Sequence, residues 1–240
     1  MARPRKSYTL WIAGALLRVL VGCVILAIVL LLLWRVFLSG RLPKSMKSIA
    51  PNESLAAAYA EKGEALVLFD QVQGTVTRNE ESYGYFGVPR FVFIPDAKQL
   101  QLVFRYNNST LKAVARDLEL AEALPRGEEL FDVSLVLCRD LTPDDLTDNT
   151  DDSATISRER YHPTLTAVDT TALYTYFLYT FEGVELTDDT IVGYIDIYYG
   201  LTPDYGESPM ADLRLYHRDD PRRELQLTGK EEKALAAFGK

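Results

Sequence analysis

Three groups of residues have the types and spacing to do chemistry. The first is acidic: Asp140, Asp144, Asp145, Asp148, Asp151 and Asp152 fall within the stretch RDLTPDDLTDNTDDSATISRE. Carboxylates packed this closely repel one another, and Ca²⁺ relieves such crowding by taking six to eight oxygens from a flexible loop. Asp144, Asp145, Asp148 and Asp152 are the candidate ligands if Ca²⁺ binds, but no cofactor is expected. Counted from Asp148, the first, fifth and twelfth positions of an EF-hand loop are Asp148, Asp152 and Glu159. The sixth is Ser153 where that loop needs glycine, and a strand pattern follows where a helix should, so a solvated acidic loop is the preferred reading.

The second group is aromatic. Tyr174, Tyr176 and Tyr179 lie in ALYTYFLYTFEGV, Tyr194, Tyr198 and Tyr199 in TIVGYIDIYYG, and Tyr205 just beyond. If these two strands pair, Tyr174, Tyr176, Tyr194 and Tyr198 share a face. Each offers an apolar ring with a polar tip, suited to stacking on a sugar or burying against a protein. Cross-strand aromatic pairing that only stabilises a sheet is the commoner cause of such a cluster.

The third group is small: His162 in RYHPT and His217 in LYHRD. Neither belongs to an H-E-x-x-H or other zinc spacing. The G-x-S-x-G elbow, the Walker pattern and the dinucleotide glycines are all missing, and an isolated serine without a positioned base is no nucleophile. His217, beside Arg218, Asp219, Asp220 and Pro221, reads as a surface turn. The expected mode of action is contact rather than catalysis, with an envelope hydrolase, for example a glycan-directed one using carboxylates assembled by the fold, as the alternative.

The elements that must position these groups are mostly strands. From Ala65 onward, β-branched and aromatic runs alternate with turn residues, and eight or nine strands can be read between ALVLFDQVQGTVTR and ELQL. Phe131, Val133, Leu135 and Leu137 share one face of FDVSLVLCRDL, and Ile191, Ile195 and Ile197 one face of TIVGYIDIYYG. Two sheets, each turning one face inward, satisfy this pattern. The expected fold is all-β, a sandwich of immunoglobulin-like or jelly-roll type, with a few short helices.

Those helices are legible too. NESLAAAYAEKG has Asn52 or Ser54 as cap and Gly63 as stop. NSTLKAVARDLELAEALP spaces Leu111, Val114, Ala115 and Leu118 helically between Ser109 and Pro125. TGKEEKALAAFGK carries the capping box Thr228/Glu231, with Ala234, Leu235 and Phe238 as a docking stripe. Cys138 among VSLVL reads as a small buried residue; with Cys23 in the apolar N-terminal run, no disulfide is expected within the folded domain. Asn52, Asn107 and Asn108 fit the glycosylation sequon.

The N-terminus has a different character. Val19 to Leu38 interrupts its apolar run only at Arg35 and is long enough at helical rise to cross a hydrocarbon core of roughly 30 Å. A span over residues 9–29 would instead place Arg18 near the bilayer centre, at about 2.5–3.5 kcal/mol. The run exceeds a cleavable signal core, and FLSGR lacks small residues in an A-x-A arrangement. LVGC resembles a lipobox ending at Cys23, but a second hydrophobic block follows where a polar tether belongs. The expectation is an uncleaved single-pass anchor contacting membrane lipid.

The division is then a basic tail and interfacial segment (1–18), a transmembrane helix (19–38), a stalk with a short helix (39–64) and a β-sandwich (65–240). Basic residues flank the span equally on both sides, so orientation rests on the short acid-free tail, expected inside, with the C-terminal domain extracytoplasmic. Residues 1–47 hold eight bases and no acid, whereas residues 48–240 hold 18 bases and 34 acids, net −16. So acidic a domain excludes nucleic acid as a partner. An envelope protein or glycan is the expected one.

Overall fold

The structure, a computed structural model, describes residues 6–39, 41–62, 68–70, 86–140, 156–220 and 224–238. The acidic loop with Asp144, Asp145, Asp148 and Asp152 lies outside the described residues, as do Gly63 and most of the ALVLFDQVQGTVTR strand. The chain divides into two compact units, Met1–Arg41 and Leu42–Lys240.

The first unit is one helix, α1 (Lys6–Ser39). Residues 8–17 belong to the same helix as the expected span. Its stretch Trp11–Arg35, of mean hydropathy 3.1, is long and apolar enough to cross a membrane, with none of it buried against protein.

The second unit holds α2 (Glu53–Lys62), β1 (Leu68–Asp70), β2 (Phe86–Ile94), β3 (Gln99–Asn107), α3 (Thr110–Asp117), β4 (Phe131–Asp140) and β5 (Ile156–Tyr161). It continues with β6 (Thr164–Thr170), β7 (Tyr174–Glu182), β8 (Thr190–Tyr199), β9 (Ala211–His217), β10 (Glu224–Leu225) and α4 (Gly229–Ala236). Antiparallel pairing gives a larger sheet, β10-β1-β2-β3-β7-β6, whose first two strands are very short, and a smaller one, β5-β4-β8-β9. The fold is a mostly-β sandwich with a few short helices, as the alternation predicts.

Period-two patterning explains the layers. Leu100, Leu102, Phe104 and Tyr106 of β3 and Phe177, Tyr179 and Phe181 of β7 point inward from the larger sheet. Phe131, Val133, Leu135 and Leu137 of β4, with Ile195 and Ile197 of β8, meet them from the smaller one. At Gly193 an added Cβ would meet Leu137 Cδ2 at 3.0 Å, so a larger residue there would require that leucine to give way. Cys138, a buried thiol, lies on the outward side of β4, away from this core.

The helices differ in detail from expectation. Asn52 caps α2, its Oδ1 accepting from the Leu55 amide at 3.0 Å. The helix α3 packs Leu111, Val114 and Ala115 into the core but ends at Asp117, well before Pro125. Glu119 adopts a left-handed φ of 53°, and amides of Glu119 and Leu120 bond the carbonyls of Arg116 and Ala115, a Schellman stop built without glycine. In α4 the capping box forms, but only Leu235 of the expected stripe is buried; Ala234 and Phe238 are exposed.

The residues after Leu42, read as a polar stalk, are packed. Met46, Ile49 and Leu55 are buried on the outward face of the larger sheet, joined there by Leu235. Gln101 of β3 secures this strap by bonding both backbone groups of Ala50, at 2.8 and 2.7 Å. Glu231 accepts the Ile49 amide at 2.8 Å while closing the α4 cap. Buried backbone groups need partners, and here side chains supply what a neighbouring strand otherwise would.

Candidate functional site

The expected tyrosine platform does not assemble. Tyr174 and Tyr176 belong to β7, which pairs with β3 and β6, whereas Tyr194 and Tyr198 belong to β8, which pairs with β4 and β9. The two strands lie in opposite sheets, so the four rings share no face. Tyr176 is buried beneath the strap with Met46, and Tyr174 packs beside it, ring centroids 6.0 Å apart. Tyr179 points into the core and donates to Glu129 at 2.9 Å.

A different group converges on the outward face of the smaller sheet. Alternation sends Asp132 and Ser134 of β4, Arg158 and Arg160 of β5, Asp196 and Tyr198 of β8 and Asp212 of β9 to that face, opposite the core positions. Ser134, Asp196 and Asp212 occupy one row across three strands. Among the described residues, no helix or strand covers this face.

Arg160 is the centre. Its guanidinium donates to Asp196 Oδ2 at 2.8 Å and to the Ser134 hydroxyl, and lies 4.6 Å from the centroid of the Tyr205 ring and 5.7 Å from that of Tyr198. Cation–π attraction of this kind contributes about 0.5–2 kcal/mol. Tyr205 meets Tyr198 edge-on at 5.4 Å and donates its hydroxyl to Asp132 Oδ2 at 3.1 Å. His162 sits at the two-residue corner where the chain passes from β5 to β6, its Nδ1 3.3 Å from the same hydroxyl.

The electrostatics follow from this packing. Burial pushes the Asp196 carboxyl above its usual value, the Asp212 charge opposite adds to the rise, and the Arg160 bond and charge oppose it. Burial likewise raises both phenols, helped at Tyr205 by the Asp132 carboxylate and opposed by Arg160. Tyr198 and Tyr205 therefore stay protonated and act as hydrogen-bond donors. Asp196, its side chain only 14% exposed, is committed to Arg160. Tyr198 is buried, its hydroxyl donating to the Glu207 carbonyl at 3.3 Å, so the arrangement presents a fixed cation, the Tyr205 ring and an imidazole. Among the described residues, no group of three or more His, Cys, Asp or Glu is placed to hold a metal ion.

Sequence reasoning missed Arg160, Asp132 and Asp196 as a site because they meet only after distant strands pair. The available signal was Arg158 and Arg160 alternating in ISRERY, two cations on one strand face of an acidic domain. No family model matches the chain, and neither curated proteins nor solved structures give a match.

Proposed function

We propose that this chain is a membrane-anchored, single-pass binding module. In this reading α1 spans the bilayer with the N-terminus inside, and the extracytoplasmic sandwich receives an envelope protein on the outward face of its smaller sheet. The reading is carried by one observation: a ring of Arg160, Tyr198, Tyr205 and His162 stands on that face with no helix or strand over it among the described residues. Arginine and tyrosine are the side chains that anchor protein interfaces, because they bring large rigid contact area with directed polar tips.

A protein fits better than a glycan. Sugar stacking needs a free aromatic face, and the Tyr205 ring already carries Arg160 over it with Tyr198 and His162 beside it. The test is photo-crosslinking in native membranes from a reactive residue at position 205, compared with one at exposed position 238. A discrete protein adduct from 205 alone supports the reading; adducts from both, or from neither, count against it. Retention of the chain in the pellet after carbonate washing tests the anchor separately. Protease shaving of intact cells tests its orientation.

A further inference from the structure

One corner of the larger sheet's outward face, beside Met46 of the strap, is polar. In register across that corner stand Arg105 of β3, Tyr176 of β7 and Asp169 of β6. The Arg105 guanidinium lies 4.4 Å from the centroid of the Tyr174 ring, which holds it in place. Among the described residues Arg105 forms no ion pair, although the domain has far more acids than bases. The Tyr176 hydroxyl beside it is shut off from solvent and finds no acceptor for its proton, since the Arg105 guanidinium alongside can only donate. Asp169, on the far side of Tyr176 from Arg105, accepts from the Ser45 hydroxyl of the strap at 2.5 Å.

A buried donor without an acceptor is costly, and structures keep one where something completes it. Here a fixed guanidinium and an unsatisfied phenol are neighbours, and both lack an oxyanion. Arginine's planar fork matches the oxygens of a phosphate group and binds it through two parallel bonds. Leu42, the residue with which the sandwich unit begins, packs in the same cluster as Tyr174 and Tyr176. If α1 is an anchor, a phosphate source lies in the lipid headgroups at its end.

We infer that Arg105, Tyr174 and Tyr176 form a binding site for a phosphate group, with Arg105 supplying the charge, Tyr174 the platform and Tyr176 the completing hydrogen bond. The lipid source rests on the anchor reading above; the phosphate chemistry does not. The test uses the full chain in non-ionic maltoside micelles, which carry no phosphate, and follows the Arg105 side-chain Nε–Hε signal by NMR, assigned by its loss in Arg105→Lys.

Inorganic phosphate, titrated at constant ionic strength, is expected to shift that signal saturably. Tyr176→Phe is expected to weaken the response about fivefold, the size of one lost hydrogen bond, while raising the phosphate-free melting temperature because the unsatisfied hydroxyl is gone. Phosphatidylglycerol added to the micelles separates the sources: a response to both probes supports a headgroup occupant, and a response to inorganic phosphate alone supports a soluble phosphate ester. An unmoved Arg105 signal with both probes overturns the site, as does a shift that Tyr176→Phe leaves unchanged. Either failure leaves the carbonate-wash result, and so the anchor reading, standing on its own.

Discussion

The two outward faces of the sandwich are built alike and finished differently. Both alternate buried and outward residues, yet the larger sheet's face is roofed by the strap, α2 and α4, with Met46, Ile49, Leu55 and Leu235 buried on it. The smaller sheet's face carries no helix or strand over it among the described residues; there Arg160 of β5 and Tyr205 of the β8–β9 loop cover Ser134 and Tyr198. Burial on one face comes from chain added on top, and on the other from long polar side chains lying flat. The first face is thereby given over to stability, and the second is the one on which the proposed function rests.

The largest test of that contrast is truncation. Leu55→Ala, on the roofed face, is expected to destabilise the sandwich by about 2–5 kcal/mol, the range for a fully buried leucine. Tyr205→Ala, on the open face where the residue is 39% exposed, is expected to cost about 1 kcal/mol, for one hydrogen bond and one cation–π contact. Urea unfolding of the two variants measures both. Equal costs would mean that the open face is structural in the same sense as the roofed one.

Acid separates the faces by sign. On the roofed side, burial alone would raise the Glu231 carboxyl. Bonds from the Thr228 hydroxyl and from the Ile49 and Thr228 amides, backed by the Arg90 charge, overcome that and hold it below the usual glutamate value. A folded pKa below the unfolded one contributes stability that is complete above about pH 4.5 and lost as pH falls through the folded value. On the open side Asp196 is shifted upward, so the folded state binds its proton more tightly than the unfolded state. Its ionisation costs stability as pH rises through the window above the usual aspartate value. Glu231→Gln is therefore expected to cost about 1.5–3 kcal/mol at pH 7 and much less at pH 3. For Asp196→Asn, the stability of the parent over the variant should instead be greater at pH 3 than at pH 7. Denaturation midpoints at the two pH values decide it, and slopes of the same sign would erase the distinction.

The layers of the sandwich could be read from local pattern because period-two alternation is a local signal. Phe131 to Leu137 and Ile195 to Ile197 face the core as their spacing predicts. The capping box at Thr228 and Glu231 is equally local. The strand β6 escaped notice because it is an edge: TLTAVDT alternates only between exposed and half-buried, too weak a contrast to read as a core strand. In sequence the strap has the look of a stalk because its lysines and prolines outnumber Met46 and Ile49, which matter only once a sheet lies beneath them. The tyrosine platform failed for a topological reason: β7 and β8 are consecutive in sequence, yet the connection between them crosses from one sheet to the other. Nothing in the rings themselves records that crossing.

The smallest predicted effect is also the most specific to the open face. Tyr205 has one hydroxyl proton, and it goes to Asp132, whose carboxylate can only accept. The same oxygen lies 3.3 Å from His162 Nδ1, so the imidazole must supply the proton of that contact. A neutral His162 is then protonated on Nδ1, leaving the Nε2 lone pair toward solvent at the rim of the site, where it can accept from a partner. Long-range ¹⁵N NMR, with pH raised until the ring is neutral, should report the Nδ1–H form in the parent chain. Tyr205→Phe removes the acceptor, and the ring should revert toward the Nε2–H form with little change in melting temperature. A parent ring already in the Nε2–H form would mean that Tyr205 does not bridge His162 to Asp132. The open face would then present an unoriented imidazole, and its claim to be a prepared contact surface would rest on Arg160 alone.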